Sequence, residues 1–201
     1  MKKVPFRKTL LFASAFTFSI AATSCKNEEK PVDPKEVAEE ENKELVEGAK
    51  EEAKIVEDNS KKFVAIAEFD LKQRDLAKLA EAKATSKEVR DLAATIENSH
   101  NSSLQEVIEL AKAKQISVPD ALTDTGKKEF DALNKKSGQD FDVEYIDKTI
   151  KAHRDAIRDF SNDASQTQDL EVKSLLEKKV ATLQSHFDMI NRMIEKSNAR
   201  K

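Results

Sequence analysis

The chain has three histidines, His100, His153 and His186, and no others. Imidazole titrates near neutral pH, ligates transition metals, and needs a partner for each ring nitrogen when buried. Each histidine sits in an apolar series with steps of three and four, the spacing that puts residues on one face of a helix. The series are Val89, Leu92, Ile96, His100, Leu104, Val107, Ala111; then Val143, Ile146, Ile150, His153, Ile157, Phe160, Ala164; and Leu176, Lys179, Leu183, His186, Ile190, Met193. An earlier series, Ile66, Phe69, Gln73, Leu76, Ala80, is interrupted by Gln73.

Two chemistries follow from three inward histidines. In one, they ligate a single transition-metal ion in a helical core. In the other, they hydrogen-bond to Tyr145, Thr149, Asp142 or one another and fix which helix faces which. Glu97 stands three residues before His100, the spacing of a Glu-x-x-His ligand pair, whereas Ile150 and Leu183 stand three before His153 and His186. One such pair does not make a di-iron carboxylate centre, which needs two plus a Glu from each of two further helices. Met189 and Met193 flank His186, but methionine at helical spacing is ordinarily core filler. Gly-rich phosphate loops, nucleophile elbows and cysteine clusters are absent from the sequence, so no reaction is assigned.

Four long helices must position these residues. The spacing predicts them over about residues 63–83, 85–114, 141–164 and 170–197, with Thr85 and Glu88 as a capping box and a short helix over 125–136 closed by Ser137-Gly138. Short links after the first and third predict an antiparallel four-helix bundle with the short helix in its cross-connection. At 1.5 Å per residue, Gln73 and His100 differ in height by about 5 Å, and His153 and His186 by about 7 Å. All four are therefore expected near the middle of the bundle. Composition agrees with an all-α class: 36% charged residues, 3 Gly, 4 Pro and no Trp do not suit a β-sandwich.

The formal net charge of −3 hides an asymmetry. Lys2, Lys3, Arg7 and Lys8 lie in an acid-free leader, so 31 basic residues face 38 acidic ones in the remainder, about −7. That sign excludes a nucleic-acid partner, which requires a basic stripe. Residues 9–24 carry no charge and end in small residues, a signal-peptide pattern too short for the roughly 20 apolar residues of a membrane span. The single cysteine follows at once, in Ala22-Thr23-Ser24-Cys25, and resembles a bacterial lipobox whose thiol is acylated. Ala22 stands where leucine is usual, and the alternative is a secreted protein cut nearer Ala21. Several acyl chains would give stable membrane anchoring. The next residues, Lys26-Asn27-Glu28-Glu29-Lys30, resemble a surface-export signal of Gram-negative lipoproteins. Residues 1–24 are thus expected as a lipoprotein signal peptide, 25–60 as an acylated cysteine with a flexible charged tether, transiently helical at most over 37–57, and 61–198 as the bundle.

The stretch from Phe63 to about Met193 resembles the bacterial DUF4142 family of ferritin-like, often exported or lipid-anchored proteins of uncharacterised function. The residues that carry this are Leu76-Ala77-Lys78-Leu79-Ala80, His100 with Leu104, Phe141-Asp142 with Tyr145 and His153, and His186. The resemblance implies a ferritin-like bundle. Ser99-His100 replaces the family's Asp-His, and the acidic position of the first helix falls on Gln73. The expected function is a lipid-anchored outer-membrane protein, periplasmic or surface-exposed, with a binding or stress role and no catalysis. The alternative is a metal-binding bundle for storage, sensing or redox protection, with His100, His153 and His186 as ligands and Gln73, Glu97, Asp142, Tyr145 and Thr149 around them.

Overall fold

A computed structural model describes residues 31–198. The leader, Cys25 and the Lys26 to Lys30 stretch lie outside the described residues. The described chain is an all-helical bundle: α1 (Pro34–Gly48), α2 (Ala53–Lys83), α3 (Lys87–Ala113), α4 (Asp124–Asn134), α5 (Gly138–Gln166) and α6 (Leu170–Asn198), with one 3-10 turn, Lys50–Glu52, between α1 and α2. The long helix α2 packs against α3 and α5, and α6 packs against α5 and α3. The short helix α4 touches α2 and α5.

The residues expected as a tether through Ser60 are helical from Pro34. Asp33 caps α1 by accepting from the Lys35 amide at 2.8 Å, and Pro34 occupies the first turn, where its missing N–H costs nothing. What the sequence hid is polar docking. The Asn42 amide donates to the Ser117 carbonyl at 2.9 Å, while its oxygen accepts from the Ser117 amide at 2.8 Å. Lys35 pairs with Glu68 of α2 at 2.9 Å. These contacts order a segment that has little apolar surface to bury.

Two other differences have local causes. Ser86, not Thr85, is the N-cap of α3, accepting from the Val89 amide at 3.4 Å. Thr85 is engaged by Asp142, whose carboxylate accepts from the Thr85 amide at 2.9 Å, the Thr85 hydroxyl at 2.6 Å and the Ser86 amide at 2.8 Å. At this end of α5, Phe141, Tyr145 and Thr149 face the core beside the expected Ile146, and Val143, expected inward, is 53% exposed. Gly138 opens α5 at φ +60, a left-handed position that suits glycine. Asp142→Ala should cost about 1–3 kcal/mol in urea unfolding, because it orphans three donors at a helix junction.

The core falls into two apolar clusters. One holds Phe63, Leu71, Leu104, Phe160, Leu176 and Leu183; the other holds Leu76, Ile96, Phe141, Tyr145, Leu133 and Ile190. Along each histidine-bearing helix the two are separated by that histidine's level, between 96 and 104 in α3, 146 and 156 in α5, and 183 and 190 in α6. A polar layer therefore divides the bundle core.

Candidate metal centre

His100 from α3, His153 from α5 and His186 from α6 meet in that layer, 0–3% exposed. One nitrogen from each lies within 4.8 Å of the others, and the ring centroids are 5.3–5.4 Å apart. Four helices deliver the neighbouring groups. From α2, Asp70 places Oδ1 2.7 Å from His100 Nδ1. From α6, Lys179 donates to both Asp70 oxygens at 2.5 Å and also bonds the Ser103 hydroxyl of α3.

The partners assign the protons. An ionised carboxylate only accepts, so His100 carries its proton on Nδ1 and leaves the lone pair on Nε2. That Nε2 is buried and has no hydrogen-bond partner. His153 Nδ1–H donates to the Thr149 carbonyl at 2.9 Å, which leaves its Nε2 to accept from His186 Nδ1–H at 3.1 Å. A carboxylate or carbonyl behind the far ring nitrogen is how proteins orient metal-ligating histidines.

The charge states agree. Burial pushes His100 below the usual histidine range despite the pull of Asp70. Burial, with His100 and His186 adding to it, pushes His153 well below that range. His186 is pushed down to about 4 by burial, His100 and Lys179. Burial would raise the Asp70 carboxyl, yet His100 and Lys179 hold it below its ordinary value. Burial also lowers Lys179 against the pull of Asp70. At neutral pH the cluster is three neutral imidazoles beside a closed Lys–Asp pair. Phe69 seals it, its ring edge-to-face with His100 at 5.4 Å and His153 at 5.8 Å.

Of the residues expected around the histidines, Thr149 alone bonds one, and it does so through its carbonyl; its hydroxyl donates to the Tyr145 carbonyl at 2.7 Å. Tyr145 is buried, which raises its hydroxyl above the ordinary tyrosine range, and that hydroxyl has no partner at hydrogen-bonding geometry. Glu97 faces Glu81 of α2 rather than the histidines; burial and that carboxylate raise it. Asp142 serves the α2–α3 junction. Gln73 is buried but bonds none of the histidines, and the α2 carboxylate that does bond one is Asp70, one turn earlier. Met189 and Met193 pack with the second apolar cluster.

Asp70 and Lys179 are the residues that sequence reasoning missed. Lys179 already stood in the inward series between Leu176 and Leu183, and a lysine there demands a buried anion. Asp70 follows Ile66 by four residues and precedes Gln73 by three, so it fits the same face.

Three imidazoles from three helices suit one ion of the imidazole-binding transition series once the His153–His186 hydrogen bond opens and His186 moves its proton from Nδ1 to Nε2. They do not suit a di-iron carboxylate centre, because Asp70, the carboxylate bonded to this cluster, is taken up by Lys179 and His100. No curated protein and no solved structure matches this chain. A family model described as a domain of unknown function, DUF4142, matches residues 44–193, and the chain belongs to that family.

Proposed function

We propose that this is a lipid-anchored envelope protein of the outer membrane whose bundle, antiparallel, four-helix and ferritin-like in arrangement, binds one transition-metal ion through His100, His153 and His186. The role is storage, sensing or redox protection rather than catalysis. The single observation that carries the metal reading is His100 Nε2, a buried nitrogen without a partner on a ring whose centroid lies 5.3–5.4 Å from two further imidazoles. An unsatisfied buried polar atom costs about 1–3 kcal/mol, a penalty that an ion would remove. The anchor reading rests on the leader and Cys25. The arrangement is supported by the short links at 84–86 and 167–169 and by α4 in the longer connection.

A second reading rests on the Lys179–Asp70–His100 chain: a polar layer that fixes helix register and holds no ion. Metal titration of the purified full-length chain separates the two. The metal reading expects one tightly held ion per chain, lost in the His100→Ala/His153→Ala/His186→Ala variant. Sub-stoichiometric uptake, or equal uptake by that variant, favours the register reading. Cys25→Ala should move the protein from the membrane to the soluble fraction, and unchanged membrane partition would refute lipidation.

A further inference from the structure

Building on the metal reading above, we propose that the three-histidine centre is charge-matched to a monovalent d10 ion, Cu(I), in preference to divalent ions. The first ground is the charge tally. Imidazoles ligate as neutral groups, and the charged side chains bonded into the cluster are Asp70, on His100, and Lys179, on Asp70. Lys179 Nζ stands 2.5 Å from both Asp70 oxygens, so the pair sums to zero whichever partner holds the shared proton. Further out, Glu106 and Lys178 neutralise each other at the surface, 2.7–2.8 Å apart.

An ion entering this layer therefore brings its whole charge into a buried, neutral environment. The cost of burying an uncompensated ion rises with the square of its charge, so a divalent ion pays about four times what a monovalent one does. Thiolate or carboxylate ligands offset that cost in many divalent sites, and a metal-bound hydroxide can do so where the ligands are all histidine. Here the neighbouring carboxylate is already engaged on both oxygens, and the described residues include no cysteine.

The second ground is ligand number. Zinc held by three protein ligands takes water as its fourth, so a three-histidine cluster suits it only where a water can enter beside the ion. This cluster offers three nitrogens, and the Phe69 ring stacks edge-on against two of the three imidazoles. Cu(I) is satisfied by two or three nitrogen donors and needs no water.

The test uses the full-length chain under anaerobic, reducing conditions. Cu(I) is supplied from a bicinchoninate buffer and challenged with Zn(II). The expected result is one Cu(I) per chain, retained against about a tenfold excess of Zn(II). Lys179→Met removes one positive charge near the site, so it should raise Zn(II) affinity by about tenfold more than Cu(I) affinity, since the interaction scales with the ion's charge. Lys179→Gln provides the same charge change if the methionine variant does not fold. Zn(II) bound as tightly as Cu(I) by the unmodified chain, or an unchanged Zn(II) to Cu(I) ratio in the lysine variants, overturns the preference and leaves the metal reading standing. Binding of neither ion overturns both.

Discussion

Asp70→Ala should destabilise the folded chain by about 3–5 kcal/mol, the cost of breaking a buried pair by removing one partner. Asp70 is fully buried on α2 and accepts from Lys179 of α6 and His100 of α3, so its loss strands an ammonium and an imidazole N–H together. The damage comes from what is left behind rather than from the pair's net worth. Asp70→Leu with Lys179→Met removes both charges and leaves only the His100 N–H without its partner, so the double variant should recover the part of the loss that comes from the stranded ammonium. Urea unfolding of Asp70→Leu, Lys179→Met and the double variant measures this directly. Near-additive losses, or a cost below about 1 kcal/mol for Asp70→Ala, would show that the pair is not the buried hub described above.

Acid should unfold the protein earlier than its exposed carboxylates alone would. In the unfolded chain each histidine titrates near 6.5, whereas burial holds all three lower in the folded state and His186 at about 4. Between these values the unfolded state binds more protons. Stability is therefore fully present above about pH 6.5 and falls as the pH drops toward 4, by about 1.4 kcal/mol per pH unit for each imidazole that charges on unfolding. Asp70 acts in a lower window: its folded value is depressed, so its contribution is lost only below the ordinary aspartate range. A series of urea midpoints from pH 7.5 to 4.5 reads the histidine effect. His186→Gln should flatten that slope, and a flat profile in the unmodified chain would contradict neutral, buried imidazoles.

Much of this was legible in the sequence because helices announce themselves by period. The steps that carry Leu92, Ile96, His100 and Leu104 along one face are also what place His100 in the core. Where tertiary polar contacts decide, the pattern was silent. Asn42 docks α1 through an amide on the Ser117 backbone, and nothing in a Glu- and Lys-rich stretch signals that partner. Asp142 likewise bonds the start of α5 to Thr85 and Ser86, so that Phe141 and Asp142 are buried there and Val143 is exposed, while Ile146, His153, Phe160 and Ala164 keep the expected inward face. Asp70 was passed over because Phe69 beside it gave the more apolar series, although the inward Lys179 required an anion at that level.

The most direct test of the central claim is X-ray absorption at the metal edge of the loaded, desalted full-length protein. The account predicts a first shell of three nitrogens with the outer-shell scattering typical of imidazole, and no sulfur. A shell dominated by carboxylate oxygen or sulfur, or a chain that retains no metal after desalting, would contradict it.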